Sequence, residues 1–153
     1  MIHLSMLMRS AGAAMFLVAA LGGSAAAQRA SLKATIAGRR TTPASDTLTL
    51  LITARMTPGW KVGAAKPGKS GVPTELRWRL PDGWRVLASR WTPPTPAVVG
   101  RDTVFEYHGP FAIETRLVTG GARRSGPVQA LISYGICRDV CIPGRLTLTY
   151  HVR

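Results

Sequence analysis

The sequence is poor in cysteine, with two in 153 residues. Two thiols cannot supply a disulfide-dense scaffold, a four-cysteine zinc site or a cysteine-ligated iron–sulfur cluster. Acidic residues are also scarce, at 7 Asp and Glu against 20 Lys and Arg, and the formal net charge is +13. This imbalance favours anionic partners such as nucleic acid, an anionic membrane surface or an acidic protein face. The hydrophobic fraction of 46% excludes a disordered polar chain, and the length fits one domain.

Motifs for several other functions are missing. The basic residues form no run of five or more, and no nucleic-acid-binding motif is found, so nucleic acid is not an expected partner. The sequence also lacks a Ser–His–Asp order, a paired-carboxylate motif, a phosphate loop and zinc-ligand spacing. A hydrolase or nucleotide-binding enzyme is therefore unsupported.

Residues 1–27 have the pattern of a secretory signal peptide. A basic n-region is followed by an apolar run at residues 11–21 and by three alanines before Gln28, where cleavage is predicted. The run is too short for a membrane-spanning helix, which needs about 20 residues, although an uncleaved anchor is the alternative. No second hydrophobic run follows. We therefore expect an exported protein with one mature domain, residues 28–153, and its cysteines in an oxidising compartment.

The mature chain alternates apolar and polar residues with a period of two, as half-buried β-strands do. The clearest strands are predicted at residues 32–36, 48–56, 76–80, 111–117, 128–134 and 146–152, with weaker ones at 84–91 and 103–107. No stretch keeps the spacing of an amphipathic helix for three turns. We predict an all-β, immunoglobulin-like antiparallel β-sandwich of about 7–9 strands, with a barrel as the structural alternative.

Two segments without periodicity are predicted to be long loops. Residues 61–73 contain five glycines or prolines, and residues 92–101 are interrupted by three prolines. Loops of about ten or more residues in a compact domain often carry function, although some are only variable surface.

The two cysteines, Cys137 and Cys141, lie between the last two predicted strands. Four extended residues would span about 13 Å. A disulfide holds its Cα atoms about 4.4–6.8 Å apart, so bridging requires a turn and places the pair at a hairpin tip. Closing so short a ring would stabilise the fold by only about 2 kcal/mol. Because exposed bridges are the reducible ones, thiol–disulfide exchange is favoured over a structural disulfide.

A set of motifs follows in order along the chain: Pro58-Gly59-Trp60, residues 66–74, Trp78, residues 80–83, Trp91 with Pro93-Pro94, Tyr107 with Gly109, and residues 137–143. This order resembles the N-terminal periplasmic domain of DsbD-type thiol:disulfide interchange proteins, in the branch that includes the copper-sensitivity suppressors. The likeness covers most of the mature chain. The combined order is more specific than any single motif.

The resemblance implies an immunoglobulin-like domain whose redox pair is Cys137 and Cys141, with thiol–disulfide oxidoreductase activity and no further cofactor. Its partners would be periplasmic thioredoxin-like proteins, which exchange electrons through mixed disulfides. Cys141 is the cysteine expected to face the partner. The predicted supporting residues are Trp60, Tyr107, Tyr134 and Asp139. Because this sequence ends just after the last predicted strand, the expected electron donor is a separate membrane thiol transporter.

The chain departs from the family pattern after Trp60, where Lys61 and small residues replace the usual histidine and aromatics. This predicts that the loop shields the cysteines less, or that the shielding comes from elsewhere. Two other functions stay open. A Cu(I) site could use Cys137, Cys141 and His108, because soft thiolates select that ion. An interaction module with a structural disulfide is the third hypothesis.

Overall fold

The computed structural model describes residues 30–40, 46–119 and 125–152. The predicted signal peptide, residues 1–27, lies outside the described residues. Within them the chain forms ten strands and no helix. The strands are β1 (Leu32–Arg40), β2 (Thr47–Met56), β3 (Lys61–Gly63), β4 (Glu75–Arg79), β5 (Arg85–Trp91), β6 (Thr95–Val99), β7 (Asp102–Tyr107), β8 (Phe111–Val118), β9 (Gly126–Cys137) and β10 (Cys141–Val152). The described part therefore contains no helix that could cross a membrane.

The strands pair into two antiparallel sheets. Sheet A has the order β1-β2-β8-β5. Sheet B has the order β10-β9-β3-β7-β6, and β4 pairs with an earlier stretch of β9. The predicted all-β, immunoglobulin-like sandwich is confirmed, and the two sheets do not join into a barrel.

The core lies between the inner faces of the two sheets. Strand β2 shows how the sequence builds it, because Leu48, Leu50 and Ile52 are buried while Leu51 between them is exposed. Successive side chains of a strand point to opposite faces, so an alternating sequence supplies one buried row. The buried rows that face β2 come from neighbouring and opposing strands: Ile113 and Leu117 from β8, and Val128, Ala130 and Ile132 from β9.

The two segments predicted as loops each contain a short strand, so the prediction of irregular structure is wrong there. Strand β3 has three residues and is too short to show a period. Strand β6 is exposed on both faces apart from Ala97, and thus has no apolar alternation to detect. It accommodates Pro96 because it is an edge strand, where a missing backbone N–H does least harm.

Candidate redox site

The two cysteines form a disulfide across the β9–β10 hairpin. Cys137 ends β9, Cys141 begins β10, and the two are directly opposite each other in the register. Their Cα atoms are 4.0 Å apart, slightly closer than in most bridges. Residues 138–140 make the turn, in which the Arg138 N–H donates to the Val140 carbonyl at 3.1 Å. The pair thus lies at a hairpin tip, as its spacing predicts.

The two sulfur-bearing residues differ in exposure. Cys137 is 9% exposed and sits on β9, between β10 and β3, where Lys61 is its register partner. Cys141 is exposed and belongs to β10, the edge strand of sheet B. A protein that approaches from solvent therefore meets Cys141 first.

A loop covers the face of sheet B on which Cys137 lies. This segment, residues 64–74, packs against two glycines that share the face, Gly63 of β3 and Gly135 of β9. A Cβ atom at Gly63 would lie 1.9 Å from the Val72 carbonyl oxygen, and one at Gly135 would lie 2.7 Å from Val72 Cγ1. Glycine is thus required at Gly63, where the loop backbone rests directly on β3, whereas at Gly135 the contact is with the Val72 side chain.

Hydrogen bonds hold the 64–74 loop in place at both ends. Thr74 closes its base, because its N–H donates to the Ala64 carbonyl at 3.1 Å and its hydroxyl donates to the Gly63 carbonyl at 2.6 Å. The Phe105 N–H donates to the Pro67 carbonyl at 3.0 Å, and the Ser70 hydroxyl donates to Asp102. The shielding of Cys137 thus comes from this anchored loop, although it lacks the aromatic residues usual in the family.

A buried carboxylate lies on the same face as Cys137. Glu106 of β7 is 6% exposed and is the register partner of Gly63. Its carboxylate accepts from Lys61 Nζ at 3.1 Å and lies 3.0 Å from His108 Nε2. A cavity of about 190 Å³ brings Lys61, Glu106 and both cysteines together. Lys61 is also the register partner of Cys137, so we expect the charges on Lys61 and Glu106 to influence the thiols once the disulfide is reduced.

Changing these two charges is expected to alter the reactivity of Cys137 in opposite directions. Lys61→Met removes the ammonium group that favours a thiolate, and alkylation of Cys137 should slow about three- to tenfold. Glu106→Gln removes the carboxylate that disfavours a thiolate, and alkylation of Cys137 should then be faster. The measurement is the iodoacetamide rate of the reduced protein in a Cys141→Ser background.

Lys33→Met is the control for the loss of one positive charge, because Lys33 lies on β1 in the other sheet. It should leave the Cys137 rate unchanged. Rates that change in the same direction in Lys61→Met and Glu106→Gln would contradict an electrostatic role and indicate a loss of packing instead.

Of the predicted supporting residues, Asp139 lies in the turn between the cysteines, and Trp60 contacts that turn. The Arg138 guanidinium lies 5.0 Å from the centre of the Trp60 ring, within the range of a cation–π contact. The same guanidinium pairs with Asp139 at 3.2 Å. Arg138 therefore links the turn to Trp60, the residue just before β3.

The other two predicted supporting residues, Tyr107 and Tyr134, pack against the core. Tyr107 stacks on Phe111 with ring centroids 4.2 Å apart, and its hydroxyl donates to the Thr92 carbonyl at 2.8 Å. Burial raises the pKa of Tyr107, so the hydroxyl remains a donor at neutral pH. Both tyrosines therefore support the strands, and neither lines the cavity that contains the cysteines.

Exposed apolar side chains surround the disulfide. This apolar rim consists of Val72, Val99, Phe105 and Val140, which line the cavity shared with both cysteines. Val140, between the two cysteines, is 65% exposed. Ile142 is also exposed, but its register partner is the core residue Ile136, so its side chain points to the opposite face from Cys141. Exposed apolar side chains that cluster around one site are typical of a protein-binding surface.

The structure does not bring His108 to the cysteines as a third ligand. Its imidazole is paired with Glu106, and His108 does not line the cavity shared by the cysteines. Among the described residues, no group of three or more His, Cys, Asp or Glu side chains is arranged to hold a metal ion.

Sequence reasoning missed Glu106, the role of the 64–74 loop and the apolar rim. Glu106 carries a signal, because it lies between Phe105 and Tyr107 in a predicted strand where a carboxylate would need a buried partner. The sequence of the 64–74 loop carries no such signal, since its contacts with Gly63 and Gly135 depend on strands that are far apart in the sequence.

The sequence profile of the family described as thiol:disulfide interchange protein DsbD, N-terminal, matches residues 28–151. The N-terminal periplasmic domain of ScsB from Proteus mirabilis is similar in structure, with a TM-score of 0.57 and 21% sequence identity. That similarity covers 82% of this chain and 47% of the other, so this chain spans about half the length of that one.

A second solved structure is the N-terminal domain of DsbD from Neisseria meningitidis in its reduced form, with a TM-score of 0.48 and 14% identity over 71% of this chain and 85% of that one. No curated protein matches the chain in sequence. The likeness to ScsB shows a shared fold, and the family match extends over both cysteines. This chain therefore belongs to the family of DsbD N-terminal domains.

Proposed function

We propose that this protein exchanges electrons with thioredoxin-like proteins through Cys137 and Cys141. The observation that carries the proposal is the unequal exposure of the pair, with Cys141 open to solvent and Cys137 covered by the 64–74 loop. The hairpin register already holds the two residues opposite each other, so the bridge adds little to the stability of the fold. Its placement at an edge suits exchange with another protein better.

The reaction follows from thiol–disulfide chemistry. In the reduced protein, the Cys141 thiolate attacks one sulfur of the partner's disulfide, and the other partner sulfur leaves as a thiolate. The Cys137 thiolate then attacks Cys141 in the mixed disulfide, which releases the partner's second thiolate and restores the Cys137–Cys141 bridge. Two electrons pass to the partner, whose sulfurs take up two protons. The same steps in reverse reduce this protein.

The apolar rim supplies the contact surface for this reaction. Val140 directly precedes Cys141, and Val72, Val99 and Phe105 line the same cavity. A partner that covers these side chains would exclude water from the reacting sulfurs and hold its own disulfide next to Cys141. The positive charge of the chain favours partners with an acidic face around their disulfide.

The setting proposed for this exchange is the periplasm, with a membrane thiol transporter as the electron donor. The signal-peptide pattern of residues 1–27 supports export. The similar domain of ScsB is described as periplasmic. An oxidising compartment would re-oxidise the pair, so a donor on the membrane must return electrons if the protein acts as a reductant.

The reduction potential of the Cys137–Cys141 pair tests the proposal. The protein is equilibrated with glutathione redox buffers, quenched by alkylation, and its reduced fraction is measured by mass. We expect a potential above about −300 mV, in the range of proteins that exchange electrons with thioredoxin-like partners. A lower potential would mean a structural disulfide. The Cys137→Ser/Cys141→Ser protein gives the baseline for alkylation.

Copper binding by the same thiolates is tested on the same reduced protein. Retention of one Cu(I) per chain against a competing chelator, lost in either single cysteine variant and weakened in His108→Ala, would favour a copper-tolerance function. If Cu(I) binding is lost in the cysteine variants but is unchanged in His108→Ala, the protein binds copper only as any reduced pair of thiols does.

A further inference from the structure

The outer face of sheet A carries charge of almost one sign. Register pairs place seven charged side chains on this face, of which six are basic and one, Glu114, is acidic. The basic residues are Lys33, Arg39, Arg55, Arg85, Arg90 and Arg116, and all six are exposed. We call this surface, made by β1, β2, β8 and β5, the basic face.

The charges on the basic face are not balanced within it. Lys33 and Arg55 are direct register partners on β1 and β2. Like charges directly opposite each other in a sheet repel and lower stability. Glu114 is the register partner of Arg90 on β5, at the other side of the sheet, and cannot offset that pair. The repulsion between Lys33 and Arg55 would be relieved by an anion bound over them.

The same corner of the face has the chemistry of a phosphate site. Thr35 and Thr53 are also direct register partners, next to Lys33 and Arg55 along the strands. These four residues border an open depression of about 460 Å³. Two cations and two hydroxyl donors around one depression suit the oxygens of a phosphodiester.

We propose that the basic face binds the surface of an anionic phospholipid bilayer, with a lipid phosphate at the Lys33–Arg55 corner. The face is four strands wide, about 15 Å at the usual strand spacing. Its charge is spread over that width, which suits many headgroups at once. A protein partner would need a buried apolar centre, whereas the exposed large hydrophobics of these four strands, Leu51 on β2 and Val86 and Leu87 on β5, are half as many as the six basic side chains.

The placement of the basic face also leaves the redox site free. Cys137 lies on the outer face of sheet B, with Gly63 and Gly135, and the basic face lies on the opposite side of the sandwich. A domain bound to a membrane through sheet A would therefore present its disulfide away from the bilayer. The inference does not depend on the proposed redox function, since it concerns a different face and different residues.

The test is co-sedimentation of the full chain with vesicles of phosphatidylcholine alone or mixed with phosphatidylglycerol. Neutral vesicles give the baseline for any contribution of the apolar run at residues 11–21. We expect anionic vesicles to bind the disulfide-bonded protein more tightly, and Lys33→Gln/Arg55→Gln to weaken that binding more than about tenfold. Dithiothreitol should reduce the disulfide equally fast in bound and free protein.

The matched control removes the same charge from the opposite side, with Arg79→Gln/Arg145→Gln on the outer face of sheet B. This protein should keep its affinity for anionic vesicles. Equal losses in the two double variants would overturn the assignment to the basic face, as would no preference for anionic vesicles. If Lys33→Gln/Arg55→Gln fails to fold, Arg116→Gln removes one charge from β8, and unchanged binding in that variant would also overturn it.

Discussion

Cys137→Ser is expected to form a stable mixed disulfide with a thioredoxin-fold protein, whereas Cys141→Ser is expected to form almost none. The remaining thiol of Cys137→Ser is Cys141, which is exposed on the edge strand of sheet B. The remaining thiol of Cys141→Ser is Cys137, which is 9% exposed beneath the 64–74 loop. Reaction with a partner sulfur needs an accessible thiolate, so we expect rates that differ about a hundredfold.

The measurement uses a thioredoxin-fold protein that keeps one active-site cysteine, activated as its thionitrobenzoate disulfide. Attack by the variant releases coloured thionitrobenzoate and leaves a covalent complex that neither protein can resolve, because each retains one cysteine. Both variants should react equally with iodoacetamide in denaturant, which controls for thiol content. Equal trapping by the two folded variants would contradict the assignment of Cys141 as the attacking residue.

Gly63→Ala is expected to expose Cys137 by lifting the 64–74 loop. The added Cβ would lie 1.9 Å from the Val72 carbonyl oxygen, so the loop backbone has to move away from β3. Overpacking by one methyl group costs roughly 1–3 kcal/mol. If this cost falls on the closed loop, the fraction of molecules with an open loop rises by about one to two orders of magnitude. Alkylation of Cys137, measured in a reduced Cys141→Ser background, should accelerate by that factor.

Gly109→Ala is the matched control, because no atom lies within 4 Å of a Cβ at that position. It should not change the Cys137 rate. Gly135→Ala should act in the same direction as Gly63→Ala but less strongly, since the nearest atoms there belong to the Val72 side chain and can rotate aside. A folded Gly63→Ala protein with an unchanged rate would mean that β3 moves instead of the loop.

The same comparison separates shielding from global instability. The free energy of unfolding of Gly63→Ala, measured in urea, gives the fraction of molecules that are completely unfolded and so the part of the alkylation rate that complete unfolding explains. If the alkylation rate of Cys137 increases by no more than complete unfolding explains, the loop does not control access to Cys137. An excess rate would show local opening of the loop.

Most of the fold could be predicted because strands that are buried on one face alternate apolar and polar residues with a period of two. The alternation in β2, β8, β9 and β10 appears both in the sequence and in the buried rows of the structure. Strands β3 and β6 could not be found, since the first is held by its neighbours β7 and β9 and the second has no buried face. The pairing of β3 depends on residues far away in the chain, whereas β6 pairs with the adjacent β7 but lacks a buried row that would reveal it.

The candidate redox site also has features that the sequence predicts and features that it does not. The three-residue spacing of Cys137 and Cys141 requires a turn if they are bridged, so the hairpin tip follows from local geometry. The contact of Arg138 with Trp60 and the ion pair of Lys61 with Glu106 join strands that are distant in sequence. No local pattern marks such contacts.

By itself, the sequence determined that the chain is an all-β domain with one cysteine pair at a hairpin tip, because strand periodicity and ring size are local properties. Only the tertiary structure decided how the two cysteines differ. Cys137 is covered because β3 places Gly63 beside β9 and the 64–74 loop packs onto both. Cys141 is open because β10 is an edge strand. Exposure depends on which strands become neighbours, and that is settled only when the two sheets assemble.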